Sequence, residues 1–171
     1  MSPFSSSSVT YKPKERMPSQ ARLKPRTQAV RILYELSQTD HPIDAVLDRH
    51  LSQPILNDVD DDGDPLPIRA AQRVFIRILI SAAIEHRHAL DALISDLAPT
   101  ISIDEMPLLQ RAVLHIAIAE MRYSEQKGDT PVIINAAVEI ARAYVGDSSA
   151  RLVNGILGTV AARYSPPPTS R

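Results

Sequence analysis

The chain has 171 residues, a formal net charge of −1 and an apolar share of 44 %, one domain's worth of sequence with enough hydrophobic material for a real core. It has no cysteine, no tryptophan and only five glycines, which excludes a disulfide framework, thiolate metal sites and cysteine nucleophiles and argues against a turn-rich all-β fold. No stretch approaches the roughly 20 apolar residues of a membrane span and Met1 to Tyr11 lacks the pattern of a secretory signal, so a soluble cytoplasmic protein is expected.

Residues 1–18 combine a serine run with Pro3, Pro13 and Pro18 and almost nothing apolar, and read as a disordered arm. Residues 164–171, with Pro166, Pro167 and Pro168, read as a second tail, which leaves 19–163 as the folded domain. The N-terminal segment is basic: residues 1–31 hold seven basic side chains against Glu15 alone, a charge of +6 that leaves −7 for the rest. A basic arm on an acidic body is a pattern of polyanion-binding proteins, although a solvated, solubilising tail accounts for the charge equally well.

Within the domain the spacing is helical throughout. Leu23, Ala29, Val30, Leu33 and Leu36 form one stripe, with Pro25 tolerable only in the opening turn. A short second helix from Pro42 to Ser52 carries Ile43, Val46, Leu47 and Leu51. An acidic linker, Asn57 to Pro67, precedes a long helix from Pro67 to His88 with two apolar rows, and hence partners on two sides. A short piece from Ala89 to Leu97 ends before Pro99. The run from Leu108 to Met121 is apolar nearly all round, as in the buried central helix of a bundle. Asp129-Thr130-Pro131 opens a helix that stops at Gly146, and Asp147-Ser148-Ser149 caps a last one. Gly155 and Gly158 inside that helix cost about 1 kcal/mol each and imply close approach of a neighbouring helix. With no period-two alternation, the fold class is all-α.

Candidate chemistry is sparse. Asp58-Val59-Asp60-Asp61-Asp62-Gly63 resembles the first half of a calcium loop. However, Arg69 stands where the bidentate glutamate is due and Pro65 and Pro67 interrupt, so a solvated linker is the better account and no metal site is expected. His86 and His88 fall on different helix faces. His115 in the apolar helix reads as a satisfied core or interface histidine. Asp104-Glu105 reads as a carboxylate pair at a helix start. No nucleophile elbow, phosphate loop, dinucleotide fingerprint or H-E-x-x-H is present, so no catalysis and no cofactor are expected.

Four segments carry a family resemblance. Gln110-Arg111-Ala112-Val113-Leu114-His115-Ile116-Ala117-Ile118-Ala119-Glu120-Met121 resembles the central "D-R-A-I-L-R-I-A-x-Y-E-L" helix of the transcription antitermination factor NusB family. Asp129 to Arg142 is similar to that family's "D-V-P-x-x-V-A-I-N-E-A-V-E-L-A-K". Leu152 to Leu157 is similar to "F-V-N-G-V-L", and Arg26 to Tyr34 to "R-E-x-A-x-Q-x-L-Y". The resemblance spans about Arg22 to Ala162.

The resemblance implies two three-helix bundles. It also implies binding of boxA-type single-stranded RNA together with the ribosomal protein NusE, and loading onto RNA polymerase so that ribosomal RNA operons are read through. On that basis Arg22, Lys24 and Arg26 in the arm and Asp147, Ser148, Arg151 and Leu152 at the last helix belong to the RNA site. Tyr34, Gln110 and Arg111 belong to the partner face. Gln110 replaces the family's acid and Leu152 its aromatic, which removes a base-stacking group worth roughly 1–3 kcal/mol. Ala136 replaces a glutamate, and the loop from Gly146 to Asn154 is one residue shorter. A non-catalytic interaction module with weak or non-specific RNA binding is the alternative. Relatives occur as monomers and as dimers, and the apolar faces fit a homodimer as well as a monomer.

Overall fold

The computed structural model describes residues 23–55, 58–126 and 128–164, so the expected arm, Arg22 and the Pro-rich tail from residue 165 onward lie outside the described residues. Among the described residues the chain forms seven helices and no strand: α1 (Leu23–Gln38), α2 (Ile43–Leu51), α3 (Ala70–Glu85), α4 (Arg87–Leu97), α5 (Leu108–Tyr123), α6 (Thr130–Tyr144) and α7 (Asp147–Tyr164).

The central position of α5 follows from its composition. Ala112 to Ala119 present small or aliphatic groups, with His115, in every direction, and all are buried. One set of neighbours, α1 and α3, therefore packs on one side and a second, α6 and α7, on the other, so that two three-helix units share α5. Each fully buried Leu or Ile, such as Leu114 and Ile118, contributes about 1.5–3 kcal/mol of transfer free energy. As its two apolar rows imply, α3 packs against both α1 and α5.

The long helix expected from Pro67 to His88 is shorter at both ends, Ala70–Glu85, and the piece expected from Ala89 starts two residues earlier, at Arg87. His86 leaves the helical conformation (φ −101°, ψ 16°) between α3 and α4, and its ring lies flat on Tyr123, 3.7 Å between centroids. Leu90 N–H still bonds the His86 carbonyl at 2.9 Å, so α4 starts at once after the break. Asp104 and Glu105 stand in a turn before α5, whose first turn holds no acid. The helix-dipole explanation for that pair therefore does not apply.

Gly146 closes α6 with φ +138°, a left-handed setting that favours glycine. The amides of Val145 and Gly146 both bond the Ala141 carbonyl at 2.9 Å, and the Gly146 carbonyl accepts the first bond of α7 from Ala150 at 3.0 Å. This short link folds α7 back along α6. Gly155 and Gly158 do not meet a neighbouring helix: both are exposed, and a Cβ on either would find nothing within 4 Å. The inward stripe of α7 is Val153, Ile156, Leu157 and Val160, and helical periodicity turns Arg151, Gly155, Gly158 and Ala162 to the opposite side.

Candidate RNA and partner interfaces

The first turn of α1 separates its two cations. Lys24 is exposed and pairs with Asp58 at 2.6 Å. Arg26, two residues on, falls on the side of Ala29 and Val30 and is turned into the core, 3 % exposed. Its Nε and Nη2 each donate to one oxygen of Glu120 at 2.7 Å, and its guanidinium lies 5.5 Å from the Phe75 ring centroid. The Gly128 amide donates to the same carboxylate at 3.0 Å. A Cβ at Gly128 would stand 2.8 Å from Arg26 Nη2, so this position demands glycine for space. The expectation that Arg26 faces RNA is thus corrected. A lone glutamate at the end of an apolar helix needs a buried cation, and that was the sequence signal for it.

The acidic linker is organised by its own backbone. Asp60 Oδ1 accepts from the amides of Asp62 and Asp64 at 3.0 and 2.8 Å, Gly63 takes φ +86°, and Val59 bridges to Pro65. Among the described residues no three His, Asp or Glu side chains converge as metal ligands.

The start of α7 presents Asp147, Ser148 and Arg151 to solvent and half-buries Leu152. Asp147 pairs with Arg142 of α6 at 3.3 Å. Asn154 and Asn135 are exposed. α1 and α7 each pack on α5 and α6, so Lys24 and the α7 start stand on different helices of one body.

On the remaining side α1, α3 and α5 enclose a cavity of about 210 Å³ with an apolar floor that includes Leu33, Leu36 and Ile84. Tyr34 is half-buried beside it, its hydroxyl accepting from Gln38 Nε2 at 3.0 Å. Gln110 is 5 % exposed, so it cannot stand as a surface contact in this conformation: helical spacing turns it inward with Val113 and Leu114. Arg111 lines the cavity and grips Asp91 of α4 through Nε at 3.1 Å and Nη2 at 2.5 Å.

His115 Nε2 lies 2.7 Å from Asp91 Oδ1. An ionised carboxylate only accepts, which puts the proton on Nε2. Burial pushes the His115 imidazole below its ordinary value against the opposing pull of Asp91. Burial raises the Asp91 carboxyl, but the bonds from Arg111 and His115 outweigh it and hold the group below its ordinary range. His115 is thus a satisfied histidine between α4 and α5.

A second polar chain ties α2 to α1. Gln28 Nε2 lies 2.8 Å from His50 Nδ1 and His50 Nε2 2.7 Å from Glu35 Oε2, while Arg49 also reaches Glu35. The bond from His50 holds the Glu35 carboxyl below its ordinary value against an opposing burial cost, with Arg49 adding to the effect.

The profile of the NusB family matches residues 23–162, from the first residue of α1 nearly to the end of α7. The chain belongs to the NusB family. Transcription antitermination proteins NusB of Chloroflexus aggregans and Roseiflexus castenholzii are 39 % and 40 % identical to it over 144 residues, covering 84 % of this chain and 88 % and 93 % of theirs. Among solved structures, T. maritima NusB superposes with a TM-score of 0.68 at 25 % identity, over 85 % of this chain and 93 % of that one. A chain in the crystal structure of antitermination factors NusB and NusE in complex with dsRNA gives a TM-score of 0.67 at 17 % identity, over 85 % and 98 %. At that identity the likeness is one of fold. The all-α expectation and the family resemblance are both met, and no helix of this NusB-family chain among the described residues is long and apolar enough to cross a membrane.

Proposed function

We propose that this chain is a non-catalytic, cytoplasmic RNA-binding antitermination factor that takes boxA-type single-stranded RNA together with NusE and joins the RNA polymerase antitermination complex on ribosomal RNA operons. The observation that carries the reading is the family match over 23–162, with relatives at 39–40 % identity named transcription antitermination proteins. A NusB-fold chain with NusE and dsRNA in one crystal supports the pairing of those partners. RNA phosphates would be met by Arg22, Lys24 and the basic residues before them, and by Arg151; Asp147, Ser148 and Leu152 complete the RNA site beside Arg151 at the start of α7. Arg26 belongs to the scaffold that aims the arm. The partner face is Tyr34 and the cavity side of Arg111.

A second reading, an interaction module with weak or non-specific RNA binding, draws on Leu152, which offers no ring to stack on a base, and on Arg26, whose charge is spent internally. Fluorescence anisotropy separates the two. A labelled boxA-like RNA, a scrambled strand and a duplex are titrated with and without NusE at low and near-physiological salt. Preference for the boxA strand that tightens with NusE is the expected result. Equal, salt-sensitive binding to all three RNAs, indifferent to NusE, establishes the module instead.

A further inference from the structure

We propose that the cavity between α1, α3 and α5 seats an acidic–apolar anchor of the partner protein, an apolar side chain in the cavity with a carboxylate beside it on Arg87. This rests on the partner half of the reading above and specifies its chemistry. The cavity, about 210 Å³, is smaller than the roughly 300–1,000 Å³ of a small-molecule site and suits one large side chain. Its rim exposes Ile43 by 42 % and Leu108 by 38 %, apolar groups of the kind that mark protein contact surfaces when they cluster. Leu33 and Ser37 of its wall flank Tyr34, so it is continuous with the partner face.

The charge is one-sided. Arg87 and Arg111 line the cavity and no carboxylate does; of the two histidines in the lining, His41 lies 3.9 Å from Glu35 and His115 is held below its ordinary value by burial. Asp91 behind the wall already neutralises Arg111 and accepts from His115. Arg87 makes no hydrogen bond or ion pair with any described residue. It also stands on the first residue of α4, where the helix dipole disfavours a cation. The guanidinium is exposed to solvent at the cavity, open to a carboxylate from outside. A second copy of the chain is the poorer occupant, because a two-fold contact through this face would set each Arg87 against a lining that offers no carboxylate.

The test uses purified NusE as the probe against wild type, Arg87→Gln and Arg87→Glu, by calorimetry at low and near-physiological salt. RNA binding, thermal melting and sedimentation of each variant are followed in parallel. Binding should weaken several-fold for Arg87→Gln and about tenfold or more for Arg87→Glu, with a flatter salt dependence. RNA affinity should not move, and melting should hold or rise, since a glutamate suits the start of α4. Equal NusE affinity for all three proteins overturns the anchor while leaving the partner reading intact. A wild type that does not bind NusE overturns both. A wild-type dimer that Arg87→Glu dissociates makes the second copy the occupant and also overturns the proposal.

Discussion

Arg26 and Glu120 stand 94 residues apart in sequence and meet in a two-bond fork of 2.7 Å each, with side chains 3 % and 0 % exposed. The pair joins the first turn of α1 to the last turn of α5, and the Gly128 amide adds the start of α6 through the same carboxylate. Removing one member leaves a buried charge without its partner, at a cost of about 3–5 kcal/mol. Arg26→Ala is therefore expected to lower the denaturant midpoint strongly. Arg26→Met combined with Glu120→Leu should recover much of the loss, though not all, because the Gly128 N–H then lacks its acceptor. Gly128→Ala forces Nη2 away from a Cβ that would lie 2.8 Å from it, and overpacking of this kind costs about 1–3 kcal/mol. Urea unfolding of the four proteins measures all of this.

The same pair shows where sequence reasoning succeeds and where it stops. The helices were legible because apolar spacing is local: the stripe of α1, the all-round apolar face of α5, and the Thr130-Pro131 start and Gly146 stop of α6 each lie within one segment. The family motifs likewise lie within segments. Arg26 was not legible as a core residue because it sits in a basic run, and its partner is 94 positions away. Gln110 was misplaced for a related reason, since the side of α5 on which it falls is decided by the five helices packed around α5. The break at His86 has no proline or glycine to announce it and coincides with a ring stack on Tyr123. Gly155 and Gly158 have no neighbouring helix against them, and their exposure changes what they predict.

Exposed glycines in a helix interior cost stability without a packing return. Gly155→Ala and Gly158→Ala should each stabilise α7 by about 1 kcal/mol, seen as a rise of about 2–4 °C in Tm for a domain of this size. Gly146→Ala should do the opposite, because φ +138° is costly for a residue with a Cβ. A rise in Tm with unchanged RNA and NusE affinity is expected if this outward side of α7 is bare in the complex. A rise in Tm with weakened affinity would locate a close contact there.

Acid should destabilise the fold in two stages, at the α4–α5 junction first and then there and between α1 and α2. His115 is held below its ordinary value of 6.5 in the folded state, chiefly by burial. As pH falls through the unfolded histidine value, the unfolded chain takes up a proton that the native state resists, and stability declines. Asp91 and Glu35 are held below their ordinary values of 3.8 and 4.5. Their contributions are fully present above those values and are lost as pH falls further, through the folded values. His115→Gln keeps a donor for Asp91 and abolishes its own titration. Melting between pH 7 and 5 should therefore fall less steeply in His115→Gln than in wild type, while the loss below pH 4 persists in both.

RNA binding should report the position of each cation rather than the total charge. A phosphate contact that releases a counterion contributes about 0.7–0.9 to the log–log salt slope. Arg22→Ala and Arg151→Ala should each flatten the slope by about that amount and leave helicity unchanged, because Arg151 is exposed and Arg22 precedes α1. Lys24→Ala should do less, since Lys24 already pairs with Asp58 at 2.6 Å and loses an internal partner as well as any phosphate. Arg26→Ala should leave the slope alone and lower the melting temperature, because its charge is neutralised by Glu120 inside the protein. Salt titrations of the four variants, each checked by circular dichroism, separate an arm that binds phosphate from a buried clamp that holds the arm's root in place. A slope that flattens with Arg26→Ala but not with Arg151→Ala would place the phosphate track along α1 alone and remove the α7 start from the RNA site.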